Sequence, residues 1–369
     1  MSGEKFNISA LKKRILVAPL EWGLGHATRC IPIITSLLEQ DCEVLIGAEG
    51  AAKELLEREF PQLVFLTLKG YRMRYSRKSY LLPLRLLLQF PKMISSIRNE
   101  RRWLKKAIDE HKIDAVISDN RFGLHNPAVP CIYITHQLTI KTGNRFTQSL
   151  AQKFHYHFIN KYNECWVPDA QGEVNLAGIL SHPKHLPKIP VRYIGPLSRF
   201  EKITVEKKYE LAVIISGPEP QRTIFEDLLL KQLKFYQGNI LFVRGMPGNS
   251  AIQPGSNSNI EMRDHLNATE LNKAIQESGM IISRCGYTTV MDLIKLQMLA
   301  ILIPTPGQTE QEYLADHLAH AHLFCCCTQK GFSLDSALNL EDVLFPYNSF
   351  VADTNEYKKA VKEFVESLS

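Results

Sequence analysis

Short runs of consecutive apolar residues alternate along this chain with stretches in which apolar positions recur every three or four residues. The runs Arg14–Ala18, Glu43–Gly47, Leu63–Leu68, Asp114–Ser118, Cys131–Thr135, Glu164–Val167 and Val191–Ile194 predict buried strands. Helical spacing predicts helices over Cys30–Gln40, Ala51–Phe60, Ile94–Glu110 and about Asn144–Asn160. Strands covered on both faces read as continuous apolar runs, and strand–helix alternation is the mark of parallel βαβ units. At Gly195-Pro196-Leu197, followed by the charged stretch Glu201–Glu210, the pattern breaks as a linker does. A second series predicts strands over Leu211–Ser216, Ile240–Val243, Ile260–Met262, Met280–Ser283, Leu299–Ile303 and Leu323–Cys327. Its helices fall at Gln221–Phe235, Thr269–Glu277, Tyr287–Leu296 and Thr309–Ala321, and a last one at Thr354–Ser369. The expected architecture is α/β, with two Rossmann-like domains facing across a cleft. Residues 1–199 and 200–345 form the two domains, and residues 346–369 form a helix returning toward the first.

Composition adds limits. A chain of 369 residues exceeds one ordinary α/β core and suits two. Apolar content of 45% with 22% charged residues fits a globular protein, and no run of eighteen apolar residues predicts a membrane span. The N-terminus lacks the apolar core of a secretory signal, and the eight cysteines fall inside expected strands and helices. Both favour reduced thiols in a cytoplasmic protein, with no cofactor expected.

Two strand–turn–helix junctions carry the chemistry. Gly23-Leu24-Gly25-His26-Ala27-Thr28-Arg29 follows the first strand, and Ser283-Arg284-Cys285-Gly286-Tyr287-Thr288-Thr289 follows a strand of the second series. Each places backbone N–H groups and a positive helix end where an anion can sit. A Gly-x-Gly alone is a weak signal; the third glycine of a dinucleotide site is missing, which excludes a nicotinamide cofactor. What remains is His26 at a helix N-terminus, where the helix dipole is expected to depress its pKa and leave a neutral base. Taken alone, His26 reads more readily as a residue capping its own helix than as a base.

The second junction shifts that balance. Asp292 lies about one and a half turns into the helix that follows, where an acid can accept bonds from ribose hydroxyls. Thr309-Glu310-Gln311-Glu312 opens the next helix with groups suited to sugar hydroxyls. Ser216-Gly217-Pro218-Glu219-Pro220-Gln221-Arg222 forms a third junction, with Arg222 available for a phosphate. Two further carboxylates, Asp119 and Glu21, invite a base role, but a strand-end aspartate is commonly a cap. We rank Asp119 below His26, as an acceptor-side contact.

These segments resemble glycosyltransferases of the B fold, nearest to the family 28 enzymes of peptidoglycan synthesis. The resemblance rests on the strand–Gly23-Leu24-Gly25-His26–helix start, on Ser283-Arg284-Cys285-Gly286 with Asp292, and on Pro304 followed by Gln311-Glu312-Tyr313. It implies a UDP-type nucleotide-diphosphate sugar in the C-terminal domain. Asp292 would meet the ribose, and Gln311 and Glu312 the sugar. Ser216, Gly217, Gln221 and Arg222, with Arg284, Cys285, Gly286, Tyr287 and Thr288, would surround the diphosphate. Main chain near Arg263, His265 and Leu266 would read the base. On the acceptor side fall Gly23, Gly25, Arg29, Asp119 and the pair His136-Gln137. The resemblance implies inverting, metal-independent transfer to a hydroxyl acceptor, lipid-linked or glycan, with His26 taking the proton. Here the amide pair of the family is Gln311 and the acid Glu312, and the first loop has fewer glycines. Nucleotide-sugar hydrolases share the Gly-x-Gly-His-x-x-Arg loop, so hydrolysis stays open, as does a non-catalytic nucleotide-sugar-binding protein.

Charge is uneven. Residues 69–106 hold twelve Lys/Arg and one acid, a local +11 that leaves the rest of the chain at −5. Mixed with leucines and aromatics, this stretch suits an anionic membrane surface, while a solvated helix face explains it equally. No nucleic-acid recognition motif accompanies it. The set His317, His320, His322 and Cys325-Cys326-Cys327 matches no usual zinc spacing, and no metal site is expected.

Overall fold

The computed structural model describes residues 12–71, 82–141, 145–246, 259–339 and 353–368. Strands β1 (Arg14–Pro19), β2 (Glu43–Ala48), β3 (Val64–Thr67), β4 (Ala115–Asp119), β5 (Cys131–Ile134), β6 (Glu164–Val167) and β7 (Val191–Tyr193) form one sheet. Its order is β3-β2-β1-β4-β5-β6-β7, with every pairing parallel. Strands β8 (Tyr209–Ile214), β9 (Ile240–Val243), β10 (Ile260–Arg263), β11 (Ser278–Arg284), β12 (Ala300–Ile303) and β13 (Cys325–Cys326) form a second. The second order, β10-β9-β8-β11-β12-β13, repeats the first, and again all pairs are parallel. The fold is therefore the expected α/β pair of Rossmann-like halves.

Helices cover the sheets: α1 (Leu24–Glu39), α2 (Gly50–Glu59), α3 (Leu82–His111) and α4 (Arg145–Ile159) in the first half. The second half holds α5 (Gln221–Leu233), α6 (Ala268–Gln276), α7 (Tyr287–Leu296), α8 (Thr309–His320) and the short α9 (Leu334–Leu338). The central strands are apolar because both faces are covered: Ile15, Leu16, Val17, Val116 and Ile117 are fully buried, as are Leu211, Val213, Ile281 and Ile282. Helix α10 (Glu356–Ser367) lies against the first domain. Phe364 sets its ring edge-on to the buried Trp166 at 5.7 Å, and Arg192 pairs with Glu363 at 2.7 Å.

Helix α3 starts twelve residues earlier than the spacing predicts, at Leu82 rather than Ile94. Pro83 falls in its first turn, where a missing N–H costs nothing, and Pro91 lies inside. Its C-terminal part buries Ile97, Leu104 and Ala107 and exposes Arg98, Arg101, Arg102, Lys105 and Lys106. Part of the basic stretch, 72–81, lies outside the described residues. No helix among the described residues is long and apolar enough to cross a membrane.

Candidate active site

In each sheet the strand order reverses at one point, between β1 and β4 and between β8 and β11. Open α/β sheets bind ligands there, beyond the carboxyl ends of the strands. Both expected loops sit at these points, and the two points face each other.

Gly23 carries φ +77°, a conformation that favours glycine, and its N–H donates to Glu21 O at 3.0 Å. That turn starts α1 at Leu24 and puts His26 in the first turn. His26 Nδ1 lies 3.1 Å from Asp119 Oδ2 at the end of β4. Arg29, on the same helix face, donates through Nε to Asp119 Oδ2 at 2.8 Å and through a terminal nitrogen to Oδ1. That terminal nitrogen also lies 2.7 Å from His26 Nδ1. Burial by itself would raise the Asp119 pKa; Arg29 and His26 outweigh it and hold the carboxylate at about 2.

The His26 pKa is lowered, first by burial and then by the Arg29 charge, while Asp119 pulls the other way. Burial and Arg29 thus take the part that was expected of the helix dipole. Asp119 is more central than a cap: it is completely buried, with His26, Arg29 and the Cys30 thiol around it. Glu21, by contrast, packs its carboxyl group against Gly50 and Gly70, where a Cβ would lie 2.9 Å and 1.7 Å from it.

His136, just past β5, extends the cluster toward the second domain. A guanidinium has no acceptor, so His136 Nδ1, 3.1 Å from an Arg29 nitrogen, must accept. The ring proton is then on Nε2, which donates to Glu310 Oε1 in the first turn of α8 at 2.8 Å. The His136 ring stacks on Tyr287 of α7, centroids 4.2 Å apart and planes within 8°. Tyr287 in turn donates its hydroxyl to Pro168 O at 2.6 Å. Thr288 Oγ1 reaches Gly25 O at 3.4 Å. Gln137 lies beside this seam, its N–H donating to Thr135 Oγ1 at 3.1 Å. Nothing in the chain's periodicity pointed to the Glu310–His136 contact, which joins residues 174 positions apart. The acids in the first turn of α8 were the only available signal.

Several residues of the second domain stand differently from expectation. Arg222 is not free for a phosphate: its Nε donates to Glu219 at 2.6 Å, and another nitrogen donates to Glu226 at 2.6 Å. Gln311 Oε1 accepts from Thr305 N and Glu312 Oε1 from Gly307 N, both at 2.8 Å. These oxygens brace the loop before α8 instead of standing open to sugar hydroxyls. Asp292 accepts from Ser198 Oγ of the interdomain connection at 2.5 Å, and burial raises its pKa to about 7. Arg263 turns back to Glu261 at 2.7 Å, and its carbonyl accepts from Arg244 N. His265 is exposed and Leu266 half-buried at the start of the turn into α6.

Ser216 and Gly217 are exposed beyond β8, Gly217 at φ +105°. Gln221 opens α5 and buries an Oε1 that has no partner among the described residues. Cys285 is fully buried, and Gly286 caps α7. Among the described residues four arginines are buried: Arg29, Arg121, Arg222 and Arg284. The first three meet carboxylates. Among the described residues Arg284 meets only the carbonyls of Ile303, Pro304 and Gln221 and the ring of Phe225, 3.8 Å from its centroid. Burial drops its pKa to about 10, still cationic near neutrality. An unneutralised cation at the end of β11 adds to two helix starts, α1 and α7, that have no side-chain cap and no acid in their first turns. Helix α6, elsewhere in the second domain, is closed by a full capping box from Asn267 and Glu270.

Residues 240–367 match the glycosyltransferase family 28 C-terminal domain. An uncharacterized glycosyltransferase of Methanosarcina acetivorans is 24% identical over 321 residues, covering 79% of each chain, and one of Methanosarcina mazei is 24% identical over 319. Among solved structures, the glycosyltransferase SnogD from Streptomyces nogalater superposes with a TM-score of 0.63 at 11% identity, over 97% of this chain and all of that one. MurG of Acinetobacter baumannii does so with a TM-score of 0.54 at 14% identity, over 96% and 99%. Residues 240–367 thus carry a glycosyltransferase family 28 C-terminal domain, and the chain as a whole has the two-domain fold of the solved glycosyltransferases on which it superposes.

Proposed function

We propose that this protein moves a sugar from a nucleotide-diphosphate donor, of the UDP type, to a hydroxyl acceptor with inversion at the anomeric carbon. One observation carries the reading: His26, paired with the buried Asp119, stands on the seam where the two switch points meet. A donor held by the second domain and an acceptor held by the first would come together beside that imidazole.

His26, its pKa lowered, stays unprotonated near pH 7 and takes the acceptor proton as its oxygen attacks the anomeric carbon. His26 Nδ1 faces both Asp119 and an Arg29 nitrogen; Nε2 acts as the base in the tautomer whose Nδ1 hydrogen points to Asp119, and that carboxylate stabilises the imidazolium that forms. The departing diphosphate gathers charge beside the uncapped α7 start, the loop 216–221 and the Arg284 cation. Bringing both substrates together supplies much of the rate. Asp292 would exchange Ser198 for ribose hydroxyls, and the amide nitrogen of Gln311 is the group left to meet the sugar.

The test is a calorimetric and thermal-shift screen of UDP, CMP, GDP and ADP and their sugars, with Asp292→Ala alongside. Saturable stabilisation by one nucleotide diphosphate, lost in the variant, is expected. Silence toward all of them would remove the reading. Product formation that needs an added acceptor separates transfer from hydrolysis.

The exposed basic face of α3 supports a second part of the proposal, peripheral contact with an anionic membrane surface on which a lipid-linked acceptor would lie. Sedimentation with phosphatidylglycerol vesicles at low salt, reversed by salt, is expected. Equal recovery in the supernatant with and without vesicles would exclude it.

A further inference from the structure

His136 does more than line the acceptor side. It joins three elements at once: it accepts from Arg29 of α1 at 3.1 Å, donates to Glu310 of α8 at 2.8 Å and stacks on Tyr287 of α7 at 4.2 Å. Arg29, held on that side, keeps its other nitrogens on Asp119 and on His26 Nδ1. An unbroken line of hydrogen bonds therefore runs from the donor domain to the His26–Asp119 pair. The proton placement along it follows from donor and acceptor chemistry: Arg29 can only donate, so His136 Nδ1 must accept and Nε2 must carry the hydrogen.

We propose that His136 is a positioning residue, which holds Arg29 against His26 and Asp119 and does so only while α7 and α8 of the donor domain are seated on it. The consequence for catalysis rests on reading His26 as the base; the positioning itself does not.

The groups facing His26 are Arg29 from α1, Asp119 from β4, His136 from beyond β5 and Glu310 from α8, while the Cys30 thiol of α1 meets Asp119. Arg29 disfavours the imidazolium and Asp119 favours it. Removing the neutral His136 loosens Arg29 from its place beside His26, and that change favours protonation of His26.

The experiment follows the His26 ring carbons by NMR against pH in the full chain without substrate, assigned with His26→Gln. His136→Phe keeps an aromatic ring for Tyr287 but can neither accept nor donate; His136→Leu is the second apolar variant should that one not fold. In His136→Gln the amide oxygen can accept from Arg29 and the amide nitrogen can donate to Glu310. The apolar variants are expected to raise the His26 midpoint by about half a pH unit or more, and the glutamine variant to stay near wild type. An unchanged midpoint in the apolar variants would overturn the proposal. So would equal shifts in the apolar and glutamine variants, since packing alone would then explain them. The midpoint is read without donor or acceptor, so failure of the transferase reading would show separately, in the nucleotide screen.

Discussion

Thr288 Oγ1 and the carbonyl oxygen of Gly25 lie 3.4 Å apart although 263 residues separate them in the chain. The first turn of α7 thus rests on the first turn of α1. A Cβ at Gly25 would sit 2.8 Å from that Oγ1, so this glycine serves close approach between domains. Gly25→Ala should hold the halves apart and lower turnover by about tenfold or more. Adding Thr288→Ala leaves nothing nearer than ordinary contact and should restore much of the loss. Steady-state rates of the two single variants and the double variant check this; an unrescued double variant would mean the glycine matters for another reason.

His26→Ala should cost about 10²–10⁴ in turnover, the range a positioned general base supplies. Nucleotide binding by calorimetry should persist, because the proposed donor contacts lie in the other domain. A binding protein without catalytic function would have no turnover to lose.

The acid limb of kcat/KM should fall below pH 6.5. His26 must be unprotonated to act, and burial with the Arg29 charge lowers its pKa, so the active form persists to lower pH. Asp119, held at about 2, stays ionised throughout and cannot produce the limb. Rates between pH 4.5 and 8 test this, and a limb at or above pH 7 would contradict it.

Asp292 gives a stability prediction of the opposite kind. Its pKa rises from 3.8 to about 7 on folding, chiefly by burial, with Ser198 and Arg199 opposing. The folded state then holds the proton more tightly, and stability falls as pH rises from 3.8 through about 7. Asp292→Asn keeps an oxygen for Ser198 and removes the penalty. Its melting temperature should gain on wild type more at pH 8 than at pH 4, as calorimetry can show.

Behind the site, Glu100 of α3 accepts from Arg121 Nε at 2.8 Å, Tyr71 Oη at 2.9 Å and Gly123 N at 2.9 Å. Arg121 also donates to Pro19 O and Lys69 O, tying the ends of β1 and β4 to the loop after β3. Both charged groups are buried, so Glu100→Ala should cost about 3–5 kcal/mol by stranding the guanidinium. Urea unfolding measures this; a loss under 1 kcal/mol would show that Arg121 finds another partner.

The strands were legible because parallel strands buried on both faces leave runs such as Ile15-Leu16-Val17 and Val116-Ile117. The start of α3 was not, because Pro83 and Pro91 and the interspersed basic residues obscure helical spacing. At the candidate site, the two switch-point loops were legible, since glycine, a histidine and hydroxyls after a strand form a local signal. What each side chain does depended on partners far along the chain. Arg222 reads as a free cation until Glu219 and Glu226 are seen to hold it, and Gln311 as offering both its amide atoms to a sugar until Thr305 N is found on its oxygen. The His136–Glu310 contact exists only once both domains are folded and docked.

The return of α10 to the first domain makes the second a loop-out rather than a tail. A single cut after residue 199 would join a foreign C-terminal half to the first domain. Here that cut would strip the first sheet of the helix that covers Trp166 and install a foreign one in its place. A workable hybrid would graft the segment from β8 to α9 as an insertion, keeping the recipient's own α10 on its own α1.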